Sequence, residues 1–77
     1  KVMKMSDLTK GDLVYAPSGV YLFKKKGEEI LSYIKLSAPR NLLLVSIEDP
    51  EARVIYENQE WLVNKKDVFG VENAENY

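Results

Sequence analysis

Short stretches in which apolar and polar residues alternate, cut by glycine and proline, run along this chain. The breaks fall at Gly11, Pro17-Ser18-Gly19, Gly27, Pro39, Pro50 and Gly70. Between them lie runs rich in β-branched and aromatic residues, the signature of many short strands. The pattern predicts strands over Asp12 to Ala16, Val20 to Lys25, Glu29 to Ser37, Leu42 to Ile47, Ala52 to Tyr56, Glu60 to Val63 and Val68 to Val71. Lys26-Gly27 is expected to close a tight hairpin, and Asn64 to Asp67 a single 3₁₀ turn. The unbroken apolar run Leu42-Leu43-Leu44-Val45 suggests a strand buried on both faces.

Helix has little support. Met3 to Lys10 would make one turn, capped by Ser6 or Asp7 and stopped by Gly11. No longer window keeps a 3.6-residue apolar period. The expected fold is therefore all-β: a small barrel of five to seven short antiparallel strands, with at most one short helical turn. Residues 1–77 form a single domain, with the barrel over about 8–71 and a polar tail over 72–77.

Composition narrows the chemistry. The 77 residues include neither Cys nor His. Thiolate nucleophiles, disulfides, the usual zinc ligand sets and imidazole acid–base catalysis are thereby removed. No apolar run approaches the roughly 18 residues that span a membrane, and no signal-peptide pattern is present. A cytoplasmic, intracellular location without membrane contact is the expectation. The net charge of −1 hides an asymmetry: residues 1–40 carry +4 and residues 41–77 carry −5. A basic half attracts polyanions locally, unless the two halves pair and neutralise each other. Lys outnumbers Arg nine to two, which disfavours the bidentate forks that read guanine.

Two segments resemble a known fold. Lys10-Gly11-Asp12-Leu13-Val14-Tyr15 resembles the Gly-Asp-hydrophobic lead into the first strand of SH3-like barrels. Trp61-Leu62-Val63 followed by Asp67-Val68-Phe69 resembles their ending, a Trp-bearing strand, a 3₁₀ turn and a short last strand. The resemblance covers about residues 8–71 and implies a fold, not a family. The Ala-Leu-Tyr-Asp-Tyr start of signalling SH3 domains is missing, and the loop Lys24-Lys25-Lys26-Gly27 is basic where theirs is acidic. Proline-rich peptide binding is therefore not carried over. The Lys bias with frequent Asn, Ile and Tyr fits an AT-rich genome, such as that of a bacteriophage.

Two sets of side chains are candidates for recognition. A hairpin about Lys26-Gly27 would place Tyr21, Phe23 and Tyr33 on one face with Lys25 and Lys35 beside them, and Lys24 and Lys26 nearby. Rings flanked by lysines stack bases and attract phosphates. A barrel this small needs large residues in its core, so packing there is the first expectation for one or more of these rings, ahead of a partner interface and of a nucleic-acid platform. Tyr15, Tyr56 and Trp61 are the candidates for a partner-binding groove, since such rings join an apolar body to a polar tip. Glu48, Asp49 and Glu51 around Pro50 read as a solvated turn, since a calcium site needs more oxygens at regular spacing.

No catalytic set, phosphate-cradling loop or metal-ligand pattern is recognisable, and no cofactor or metal is expected. The expected function is that of a non-enzymatic module binding a protein partner, with a homodimer as one form of it. The alternative is sequence-tolerant binding of RNA or single-stranded DNA through the lysine–aromatic hairpin face.

Overall fold

The computed structural model describes residues 2–3 and 8–71, which form eight antiparallel strands in one sheet. They are β1 (Val2–Met3), β2 (Leu13–Ala16), β3 (Tyr21–Lys26), β4 (Glu29–Lys35), β5 (Arg40–Glu48), β6 (Glu51–Tyr56), β7 (Gln59–Asn64) and β8 (Phe69–Val71). A 3₁₀ turn, Lys65–Asp67, joins β7 to β8. The order across the sheet is β1-β8-β2-β5-β6-β7-β3-β4. The fold is all-β, and every strand expected from the alternation is present. Met3 lies in a strand and not in a helical turn. The proposed caps Ser6 and Asp7, and the tail 72–77, lie outside the described residues.

The two-residue side-chain period decides what each strand buries. Val14 and Ala16 of β2, Leu22 of β3, Leu42 and Leu44 of β5, Ala52 and Val54 of β6 and Val63 of β7 all join one core. Leu8, Leu36 and Val68 close it from the connecting segments. The sheet therefore coils around a single interior. Among the described residues its ladder ends in two edges, β1 and β4.

Turn chemistry matches the backbone. Gly27 has φ +62° and opens a two-residue hairpin between Lys26 and Glu29, as a Gly-first turn requires. At the β6–β7 hairpin, Glu57 and Asn58 take φ +50° and +64°. Both central residues are left-handed, the form that matches strand twist. Ahead of β2, the Asp12 carboxylate accepts a hydrogen bond from the Thr9 N–H at 2.8 Å. The Gly11 N–H donates to the Leu44 carbonyl at 2.9 Å, and the Leu44 N–H donates to the Asp12 carbonyl at 2.8 Å. Gly-Asp thus splices the lead-in onto β5.

One expectation needs correction. The β5 run is not buried on both faces: Leu42 and Leu44 are buried, whereas Leu43 is 44% exposed. It pairs with Leu13 and Ile55 on the outside of the sheet. A continuous apolar run carries no parity of its own, so only the strands packed around it select the inward set.

Truncating Leu44 to Ala leaves a cavity in the core and is expected to cost about 2–5 kcal/mol, read by denaturant unfolding. Glu57→Gly relieves a side chain held at positive φ and is expected to raise stability by up to about 1 kcal/mol. A lower unfolding midpoint for Glu57→Gly would contradict the turn assignment.

Candidate functional site

The β3–β4 hairpin brings part of the lysine–aromatic set together. Tyr21 pairs with Lys35 and Phe23 with Tyr33, so these four share the face turned away from the core. Tyr21 and Tyr33 are diagonal neighbours, with ring centroids 5.7 Å apart in an edge-on arrangement. The Lys35 ammonium lies 5.9 Å from the Tyr21 ring centroid. Both tyrosines are open, at 48% and 66% exposure.

Of these rings Phe23 takes the packing reading and not the exposed-platform one: it is buried, at 7% exposure. Its cross-strand partner is Leu62 of β7, also buried. The pair forms a small apolar contact outside the main core, beside Lys25 and Arg53. Phe23 is therefore the floor of a groove. Tyr21, Tyr33 and Ile30 line it on the hairpin side, and Glu51 and Asn64 on the other. Asn64 also borders a second hollow formed by Asp49, Pro50, Lys65 and Lys66. The two hollows run between the hairpin, the β5–β6 turn and the 3₁₀ turn.

The lysines disperse. Lys25 donates to Glu51 at 2.9 Å, with both side chains mostly covered. The hydrogen bond to Glu51 raises the Lys25 pKa above its ordinary value, against the opposing effect of burial. Lys24 points to the opposite side, where it donates to Gln59 and lies 4.5 Å from the Trp61 ring centroid. Lys26 is exposed at the hairpin end. Glu28 adds a carboxylate to the groove, which therefore carries one lysine and two glutamates.

Tyr15, Tyr56 and Trp61 do not share a groove. Tyr56 and Trp61 pack against the core. Tyr15 stands between Val14 and Ala16, both fully buried, so the pleat turns it outward. Trp61 Nε1 is buried and has no acceptor among the described residues.

Tyr15 belongs instead to an outer apolar patch missed by the sequence reading. Tyr15 pairs with Phe69, Leu13 with Leu43, and Leu43 with Ile55. Leu13, Tyr15, Leu43 and Phe69 are each 37–45% exposed. The signal lay in the parity of β2: once Val14 is inside, Leu13 and Tyr15 are outside.

Between this patch and the groove runs a charged band. Arg53 Nε donates to Glu48 at 2.8 Å, and its Nη1 lies 3.6 Å from Glu60. Lys65 pairs with Asp49. The acidic turn expected to be merely solvated is thus ion-paired at all three of Glu48, Asp49 and Glu51. The Lys25–Glu51 pair also links the basic and acidic halves of the chain.

No protein-family model matches this chain, nor does any curated protein or solved structure.

Hydrogen bonds from Arg53 and then Ser46 hold the Glu48 carboxyl down to about 2, from an ordinary 4.5. A lowered folded-state pKa contributes stability above the unfolded value and loses it as pH falls through the folded one. Thermal stability should therefore decline between pH 4.5 and about 2. The carboxylate is 42% exposed, so solvent keeps the slope shallow. Comparing melts of the native chain and Glu48→Gln checks this, the variant being expected to show a flatter profile in that window.

Proposed function

We propose that this protein is a non-enzymatic binding module whose partner is a protein, docked along the hairpin groove. The observation that carries this reading is the aromatic pair Tyr21–Tyr33 standing open beside a buried Phe23 floor. Small domains seldom leave large apolar groups exposed together unless another surface covers them. Tyrosine is enriched at such interfaces, where its ring is buried and its hydroxyl finds a partner.

The groove's electrostatics favour a protein over a polyanion. Lys25 is engaged by Glu51, and Glu28 stands close by. Phosphates would meet more negative than positive charge there. The second reading, RNA or single-stranded DNA, draws on one specific contact, Lys35 over the Tyr21 ring. It loses Lys24 to the opposite side.

We also infer an SH3-like path for the chain. In support, Trp61 sits on β7, the 3₁₀ turn Lys65–Asp67 follows, and a three-residue last strand pairs back onto β2. The β3–β4 hairpin then occupies the long connection after the first barrel strand. A small intracellular phage protein remains a reading from composition.

The test is an amide-shift titration with soluble protein from the source cells, and separately with a mixed pool of short RNA and single-stranded DNA at two salt concentrations. Shifts are expected around Tyr21, Ile30 and Tyr33 with the protein fraction, and are expected to vanish in Tyr21→Ser/Tyr33→Ser. The nucleic-acid pool is expected to give none. Binding to the pool that weakens steeply with salt, and disappears in Lys25→Glu/Lys35→Glu, would transfer the function to nucleic acid.

A further inference from the structure

A bulge in β4 decides what faces the groove. Lys24 pairs with Ser32 but Lys25 with Ile30, so Leu31 is the extra residue. Without it, alternation from Tyr33 would send Leu31 outward and Ile30 inward. With it, Ile30 joins Tyr33 in lining the groove, and Leu31 borders a separate hollow beside Trp61. Bulges often re-aim a side chain next to a functional site.

The lining that results is apolar and aromatic, with surplus negative charge. Tyr21, Tyr33, Ile30 and the Phe23 floor supply its walls, and Glu28 and Glu51 its carboxylates. Its one cation, Lys25, donates to Glu51 at 2.9 Å. Glu28 acts on Lys25 through its charge alone, and is exposed in the hairpin turn. Among the described residues Glu28 has no ion pair. The rings are unequally supplied as well. Lys24 lies over Trp61 and Lys35 beside Tyr21, whereas among the described residues no cation lies over Tyr33. Tyr33 is also the more open of the two tyrosines, at 66%.

An unpaired carboxylate near an open ring suits a cation that is flat and weakly hydrated. A guanidinium stacks on aromatic faces, and its fork matches a carboxylate; the compact, strongly hydrated ammonium of lysine fits less well. The methylene stem of an arginine would lie along Ile30 and the Phe23 floor. At about 480 Å³ the groove has room for such a side chain and the backbone that carries it. We propose that the groove takes an arginine side chain of the protein partner, its guanidinium flat against Tyr33 and forked onto the Glu28 carboxylate. This rests on the protein-partner reading and names the chemistry that its groove selects. Lys35 closes β4 at the end away from Glu28, so the arginine enters at the hairpin-turn end.

The test is an amide-shift titration of the native chain with a blocked five-residue peptide, arginine at its centre and alanine elsewhere. Peptides with citrulline, lysine or glutamate at the centre are run beside it. The arginine peptide should shift Glu28, Ile30 and Tyr33 with a Kd of about 1 mM. Citrulline keeps the shape and loses the charge, and should bind about tenfold more weakly. Lysine should fall between the two, and glutamate should give no shift. Glu28→Gln should weaken the arginine peptide about tenfold, and Tyr33→Leu about three- to fivefold. Glu57→Gln, an exposed carboxylate in the β6–β7 turn, should change nothing. These side chains are exposed, and circular dichroism checks that each variant folds. Equal binding of the arginine and citrulline peptides, or full affinity in Glu28→Gln, would overturn the proposal. So would tighter binding of the glutamate peptide. If the arginine peptide gives no shift while the source-cell protein fraction still moves the groove residues, the arginine falls and the groove stands. If neither gives a shift, both fall.

Discussion

The five largest side chains fully shut from solvent each come from a different strand: Val14, Leu22, Leu44, Val54 and Val63. They come from β2, β3, β5, β6 and β7. Leu44 and Val54 are cross-strand partners, which ties the central pair of strands. Among the described residues a single core cluster takes most of the burial, so this row is the condition for the fold. Each inward residue fixes the direction of its neighbours, because successive side chains in a strand point to opposite faces. The outside is therefore as strictly specified as the inside.

That constraint produces the surface features. With Val14 and Ala16 inside, Tyr15 is outside beside Phe69. With Leu22 inside, Tyr21 and Phe23 face the other way, and Tyr33 and Lys35 join them across the ladder. The charged band from Glu48 through Arg53 to Glu60 occupies the same outer surface between the two apolar regions. Exposed pairs of this kind contribute little stability singly. Their effect here is to mark where the apolar surface stops. The groove, the outer patch and the β4 edge are three separate consequences of one buried row.

Much of this was legible in the residues. Alternation located the seven strands between Asp12 and Val71, and glycine and proline located the turns. Gly27 stands at positive φ where a tight hairpin was expected, and the 3₁₀ turn follows Asn64 as its sequence suggested. The candidate site was legible only in part. The hairpin pairing of Tyr21, Tyr33 and Lys35 follows from local register alone. The fate of Phe23, Lys24 and Lys25 does not, because each is decided by a strand distant in sequence: Leu62, Trp61 and Glu51 respectively.

By itself the sequence determined the all-β class, the strand boundaries to within a few residues, and the exclusion of thiol and imidazole chemistry. These depend on spacing and composition, which are local. The tertiary structure alone decided that Leu43 faces out, that Tyr15 parts from Tyr56 and Trp61, and that the acidic turn is ion-paired. It also decided that β4 is left at an edge. Each of these depends on which strands lie side by side, and strand order is set by packing around the common core, not by any property that a single strand carries.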